Sequence, residues 1–463
     1  MAQQGYGNFA FLYNINNNLY ELLYEAESKA RINYRACGKV LRDALENYIE
    51  GVINNHLLSG YFPDGTELYR KINALNSEAE MRAAGYLQSG ETFEDRPLLP
   101  RMENVTYLCE DGCERTGSYW DFMRRYSNSC SHQEIKPTNP KLCYANVLLC
   151  LRGYHLLMQR HFRSRLPKSV SGFNEDRMPI GDYVVYEAQV PADKERSKCV
   201  KEYWGYQLDE DGVPEEYVLI RTYDRNSTDE TFMLRNQNCF TEAKQHSHTF
   251  VPEGMAGLKE LTKLSSAASD QYIISYSFNR QPLPLENELL AGMTLEQRLG
   301  LCRKLVSYLN KLHTSSTPIY HRLLNYECVY VCDFNGEWYP YIVKFDHAKI
   351  VTEKQLGTVL MNAVESQNYL RKCGREKYLP PEWLAIVNDP SLADWAKVDI
   401  YALGVLLADI LRGEVGGKKV EFDELEELGV SDLILDILEN MLAESPKARA
   451  SMETVQEFFE ENR

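Results

Sequence analysis

The chain has 463 residues, enough for two or three domains at roughly 100–200 residues each. Its 44% hydrophobic and 25% charged content excludes a disordered polymer. A net charge of −16, from 51 basic and 67 acidic residues, argues against duplex DNA or an anionic membrane as the main partner. No apolar run approaches the roughly 18–20 residues of a membrane span. Met1-Ala2-Gln3-Gln4 carries no basic patch before an apolar stretch, so no secretory signal is expected. Twelve scattered cysteines then read as reduced thiols of a cytoplasmic protein.

The first region is expected to be mostly helical. Leu19, Leu22, Leu23, Ala26 and Ala30 fall on one helical face, and the pattern resumes through Val40, Leu41, Ala44, Leu45 and Ile49. Pro137-Thr138-Asn139-Pro140 breaks the chain, with Asn139 as cap and Pro140 as first residue of a last long helix, Leu142 to Phe162. Cys143 and Cys150 are expected to face its core. A Pro, Ser and Gly cluster over 163–172 marks a domain boundary, giving a helical domain at 1–168. Beyond it, Tyr183-Val184-Val185-Tyr186, Tyr217-Val218-Leu219-Ile220 and Tyr272-Ile273-Ile274-Ser275-Tyr276 read as strands. Leu295, Leu299, Cys302, Leu305, Val306, Leu309 and Leu312 return to helical spacing. Strands first and helices later is an α+β arrangement.

In the helical domain, Cys109, Cys113, Cys130 and His132 are the candidate zinc ligands, although Cys-x-His is tight and no zinc-ribbon pattern follows, which favours ordinary loop and core cysteines. Trp120, Phe122 and Tyr126 read as packing residues. The segments Asn33-Tyr34-Arg35-Ala36-Cys37 and Leu41-Arg42-Asp43-Ala44-Leu45-Glu46 resemble a helical domain of bacterial defence and restriction proteins. That resemblance implies a wider group that includes ribonucleases, which carry an arginine with four to six residues between it and a following histidine. Arg42 and His56 are too far apart for this. Arg125 and His132 have the spacing, but the intervening Ser127-Asn128-Ser129-Cys130-Ser131 reads as loop. Nuclease activity is therefore disfavoured, and Arg35 and Arg42 read as the polar edge of an amphipathic helix.

Five fragments of the second region occur in one order. They are His321-Arg322-Leu323 through Cys328-Val329; Tyr341-Ile342-Val343-Lys344-Phe345-Asp346-His347-Ala348; Tyr378-Leu379-Pro380-Pro381-Glu382; Lys397-Val398-Asp399-Ile400-Tyr401-Ala402-Leu403-Gly404; and Ser445-Pro446-Lys447-Ala448-Arg449. The series resembles eukaryotic-type protein kinases over 178–463. The resemblance implies a bilobal domain, with a small β-rich lobe at 178–278 and a larger helical lobe at 279–463. It implies structural roles for His321 and Arg322 at the start of the catalytic loop and for Asp399 as anchor of that loop. Glu382 and Arg449 would form a buried ion pair. The hinge would lie near Ser277-Phe278-Asn279.

The pattern fails where kinase chemistry resides. The catalytic base falls on Leu323, which has no acceptor. The metal-holding asparagine falls on Cys328, and the metal-binding aspartate on Lys344, whose charge would repel Mg²⁺. Arg221 replaces the phosphate-binding lysine and is no equivalent for it. Glu242 suits the glutamate that pairs with that lysine, better than Glu260 does. No glycine lies between Tyr186 and Tyr203, where the phosphate loop belongs.

The sequence thus resembles a pseudokinase, expected to act in signalling or scaffolding through protein partners, without a cofactor, and with homo-oligomerisation open. Lys344 paired with Glu242 would fill the vacated metal site. Two other readings remain. In one, an atypical kinase binds ATP and Mg²⁺ through Asp346, Glu327 or Asp333. In the other, a defence effector works through the N-terminal domain. An extra helix is expected around Leu356–Leu370.

Overall fold

The computed structural model describes residues 5–94, 97–131, 136–167, 170–189, 200–224, 258–263, 271–315, 318–345, 348–350, 376–419 and 421–461. The chain is mixed α and β with several small sheets, compatible with an α+β fold. No helix among the described residues is long and apolar enough to cross a membrane. Two units separate by internal contacts. One is Met1–Ala188 with Tyr203–Val213 and Leu264–Gln271; the other is Gln189–Glu202, Pro214–Lys263 and Tyr272–Arg463.

The first unit opens with helices α1 (Asn17–Lys29) and α2 (Tyr34–Asn55), each started by an asparagine whose side chain accepts an orphan amide: Asn16 from Leu19 N–H and Asn33 from Ala36 N–H. Short helices α3 (Leu68–Leu75) and α4 (Glu78–Ala83) follow. Strands β1 (Asn104–Leu108) and β2 (Glu114–Ser118) then form an antiparallel hairpin, with Thr106 opposite Thr116, inside the region expected to be mostly helical. Helices α5 (Tyr119–Ser131) and α6 (Tyr144–His161) complete the bundle, in which α1 packs on α2 and α2 on α5. Strands β3 (Val184–Gln189) and β4 (Val200–Leu208) are neighbours in a sheet, with residues 200–202 of β4 belonging to the second unit. Trp120, Phe122, Tyr126, Cys130 and Cys150 are buried in the bundle core, and Cys143 is buried at the start of α6.

Two expectations are corrected here. The segment 127–131 is helix, not loop: it is carried by the buried face of α5, with Ser127, Ser129 and Cys130 buried, and Ser127, Ser129 and Ser131 satisfy their hydroxyls by donating back to the carbonyl four residues earlier. The last long helix begins at Tyr144, directly after Cys143, rather than at Leu142. Pro140 is drawn into an antiparallel bridge with Cys109, and Asn139 accepts from Glu110 N–H, so neither can start a helix.

Gly38 lets α2 cross α5 closely. A Cβ there would lie 2.0 Å from Cys130 Sγ and 2.7 Å from its Cβ. Gly38→Ala is therefore expected to destabilise the protein by about 1–3 kcal/mol, although alanine is the better helix former. Urea denaturation measures this, and an unchanged midpoint would show that the crossing can open at no cost.

The second unit holds strands β5 (Pro214–Asp224), β6 (Leu258–Lys263) and β7 (Gln271–Phe278), in the spatial order β5-β7-β6, with β6 antiparallel to β7 and a bulge at Leu258/Glu260. After β8 (Leu283–Pro284) and α7 (Asn287–Ala291) comes the long α8 (Leu295–Thr314), begun by a reciprocal capping box between Thr294 and Gln297. Strand β9 (Ile319–Tyr320) precedes a hairpin of β10 (Val329–Phe334) and β11 (Glu337–Ile342), turned at Asn335-Gly336, both of positive φ. Strand β10 also pairs with β8, and β12 (Lys349–Ile350) with β9.

Helix α9 (Trp383–Asn388) leads to α10 (Trp395–Arg412), a helix buried on every face from Val398 to Leu411. Asp394 caps its start. Gly413, at φ 88°, ends it in the left-handed conformation that glycine adopts without a Cβ penalty. Helices α11 (Phe422–Glu427), α12 (Asp432–Met441) and α13 (Met452–Glu461) follow, with α13 packed on α8. The expected helix near Leu356–Leu370 lies outside the described residues.

Candidate functional site

The loop 321–328 is set by one buried carboxylate. Asp399, from the apolar helix α10, accepts the backbone N–H groups of His321 and Arg322, each at 2.7 Å, and the His313 imidazole at 3.1 Å. Asp399 is fully buried, so these bonds replace its water. They also hold Arg322 at φ 67°, a strained backbone for a residue with a Cβ. The Arg322 guanidinium lies over Trp395 and donates to Ala348 O. His321 Nε2 donates to Val343 O at 3.1 Å, and its ring packs on Phe345 with centroids 5.0 Å apart. Thus α10, the loop and the segment after β11 meet at His321.

The neighbouring side chains are apolar or weakly polar. Leu323 packs on the cluster of Trp383, Ile386, Trp395 and Val398, surroundings in which a carboxylate would be desolvated. Cys328 is buried and reduced, with Asn325 Nδ2 donating to its sulfur at 3.5 Å.

Lys344 is the charged centre. Its Nζ lies 3.1 Å from Glu202 Oε2, and Arg221 Nε lies 3.0 Å from Glu202 Oε1. All three side chains are buried or nearly so, at 15% exposed for Lys344, 8% for Glu202 and 4% for Arg221. One carboxylate is therefore shared by two cations from different segments. Burial acts to lower the Lys344 pKa, but Tyr330 and Glu202 outweigh it and the ammonium is held charged, its pKa above the usual lysine range. The Lys344 Nζ stands over the Tyr330 ring at 5.8 Å, and burial pushes the Tyr330 hydroxyl up to about 12. The Tyr276 hydroxyl, from β7, accepts the N–H of Lys344 at 2.9 Å and of Phe345 at 3.3 Å, which pins Lys344 at φ 65°.

The partner of Lys344 is thus Glu202, on β4. Glu242, expected in that role, lies outside the described residues, as does Asp346; Glu260 lies in β6. Ser277 and Phe278 end β7, and Asn279 follows it. Asp333 is exposed and accepts Gly336 N–H in the hairpin turn. Glu327 sits in a single 3-10 turn after Asn325. Among the described residues no three acidic, cysteine or histidine side chains converge as a metal site. Cys109 donates toward Thr138 O, Cys113 is exposed and Cys130 donates toward Tyr34 O; His132 lies outside the described residues. Arg125 is paired with Asp121.

Below the loop, Arg449 and Glu382 form a two-pronged ion pair at 2.6 and 2.7 Å, with the arginine side chain fully buried. Two residues that matter here, Glu202 and Tyr276, were not singled out from sequence. A signal for Glu202 exists: it interrupts the alternation of Val200, Trp204 and Tyr206 on one face of β4. Neither family models nor curated proteins give a match to this chain.

Proposed function

We propose that residues 178–463 form a protein kinase-like domain that keeps the framework and has lost phosphoryl transfer, a pseudokinase. The chain then works as a cytoplasmic signalling or scaffolding protein that binds protein partners, with the helical region 1–168 as its interaction arm. The observation that carries this reading is the Glu202 carboxylate closed between Lys344 and Arg221. A kinase needs an acidic metal ligand at position 344 and a lysine on the third strand of the small lobe. Here those positions hold a lysine and an arginine. Arg221 does lie on the third strand after residue 180, β5. Both cations are paired with the one Glu202 carboxylate, which leaves the cluster with a net positive charge, so Mg²⁺ would have to displace a formed ion pair and meet an ammonium.

The framework contacts support the same reading. Asp399 holds the backbone at His321-Arg322, and Glu382 meets Arg449, as the resemblance implies. Leu323 and Cys328 offer neither a proton acceptor nor a hard oxygen ligand.

The test is thermal denaturation with ATP, with and without Mg²⁺. A nucleotide at a hundred times its Kd would add about 2.7 kcal/mol of stability and raise Tm by several degrees. No shift is expected in either condition. A Mg²⁺-dependent rise would sink the proposal in favour of an active enzyme.

A further inference from the structure

The hairpin β1–β2 of the first unit closes between two cysteines. Its register pairs Tyr107 with Arg115 and Leu108 with Glu114, so the next opposed pair is Cys109 and Cys113. Cys109 N–H donates to Cys113 O at 2.9 Å, and only Glu110-Asp111-Gly112 lie between them. Gly112 N–H donates back to Cys109 O at 3.0 Å, and Gly112 takes φ 79°. Asp111 Oδ1 accepts Cys113 N–H at 3.0 Å. This is a three-residue hairpin loop ending in a glycine bulge, a geometry that fixes the closing pair. Directly opposed residues of an antiparallel pair present their side chains on one face. In a hydrogen-bonded pair the Cα atoms stand about 5.5 Å apart, inside the roughly 4.4–6.8 Å span of a disulfide. The tip is also held from its other edge. Pro140 bridges Cys109, and the Glu110 and Asp111 N–H groups donate to Asn139 O and Pro137 O at 3.0 and 3.1 Å. The two thiols differ in access: Cys113 is exposed, whereas Cys109 is fully buried, its thiol turned to Thr138 O at 3.6 Å.

We propose that Cys109 and Cys113 are a redox pair, in which a hydroperoxide oxidises the exposed Cys113 and Cys109 then closes a reversible disulfide across the hairpin tip. The Cys113 sulfur attacks one peroxide oxygen, forming an S–O bond as the O–O bond breaks. The departing oxygen takes the thiol proton and leaves as water or an alcohol. Rotation about the Cys109 Cα–Cβ bond exchanges its weak sulfur bond to Thr138 O for the Cys113 sulfur. The S–S bond forms as the S–O bond breaks, and hydroxide leaves with the Cys109 proton as water. The two thiols together lose two electrons and one peroxide gains them. A disulfide with one sulfur exposed belongs to the labile kind that cellular thiols reduce, and in a cytoplasmic protein such bonds are transient and regulatory. The inference uses contacts of the first unit alone and does not depend on the pseudokinase reading.

The experiment treats the intact protein with hydrogen peroxide, then unfolds it, alkylates the remaining thiols and digests it with trypsin. Residues Met102–Arg115 come off as one peptide that holds both cysteines. After oxidation this peptide is expected to lose both alkyl groups and two hydrogens. Dithiothreitol before alkylation should restore both groups. Cys130 and Cys150, buried in the bundle core, should stay alkylated throughout. Cys113→Ser, a change at an exposed position, should leave Cys109 fully alkylated after peroxide. Cys109→Ser should let Cys113 run on to a sulfinic acid or cross-link two copies of the chain. The proposal is overturned if the native peptide keeps both alkyl groups, or gains oxygen on Cys113 while Cys109 is still alkylated. Linkage of Cys113 to a second copy in the native protein, or loss of the Cys109 alkyl group in Cys113→Ser, overturns it equally.

Discussion

Replacing Glu382 with alanine is expected to cost about 3–5 kcal/mol of stability, because it strands a buried guanidinium. All five N–H donors of Arg449 have acceptors: two on Glu382, and one each on Ala443, Lys397 and Glu444 carbonyls. The arginine also stacks on Tyr401. It therefore cannot turn outward to water when its carboxylate is removed. Arg449→Lys should fail to restore stability, since a point charge cannot fill a planar fork. Replacing both partners, Glu382→Leu with Arg449→Met, should cost less than the two single changes together, because no unpaired charge then remains. Urea denaturation of the native protein, Glu382→Ala, Arg449→Lys, Glu382→Leu, Arg449→Met and the double variant measures this. A loss below about 1 kcal/mol for Glu382→Ala would place the pair among surface ion pairs and remove its structural role.

The second large effect is a dependence of stability on pH through Glu27. This residue of α1 is fully buried, and its carboxyl accepts from the Asn8 backbone N–H at 3.1 Å and the Asn8 side-chain amide at 2.7 Å. Gly7, at φ 74°, packs so close that a Cβ would lie 2.5 Å from Oε2. Burial pushes the Glu27 pKa up to about 8, and the Asn8 bonds offset this only in part. Since the folded value lies above the unfolded 4.5, the native state holds the proton more tightly. The stabilisation is complete below pH 4.5 and is lost as pH rises through about 8. The loss across that window is about 4–5 kcal/mol from this one group. Glu27→Gln should flatten that part of the profile. Chemical denaturation at a series of pH values checks it, and an unchanged slope in the variant would assign the dependence elsewhere.

The two cases differ in how far they could be read in advance. Glu382 and Arg449 are picked out by short local patterns, Pro-Pro-Glu and Lys-Ala-Arg, whose order along the chain implies that they meet. Glu27 sits among Tyr24, Ala26 and Ala30 and looks like any acid on an amphipathic helix. Only the folded N-terminal segment, with Asn8 laid over it, excludes water from its carboxyl. The hairpin β10–β11 was legible in principle from Asn335-Gly336 between two β-rich runs, a turn signal that competed with the more prominent His321-Arg322 motif.

Local sequence determined the helical spans, since an apolar face repeating every three to four residues needs only neighbours in the chain. It also determined what positions 323, 328 and 344 lack, because leucine, cysteine and lysine have no side-chain oxygen in any fold. The tertiary structure alone decided that Lys344 answers to Glu202, that the serines of α5 remain helical, and that Pro140 pairs with Cys109. These contacts join residues distant in sequence or satisfy buried polar groups. Their energies depend on which water is removed, and a one-dimensional pattern does not carry that information.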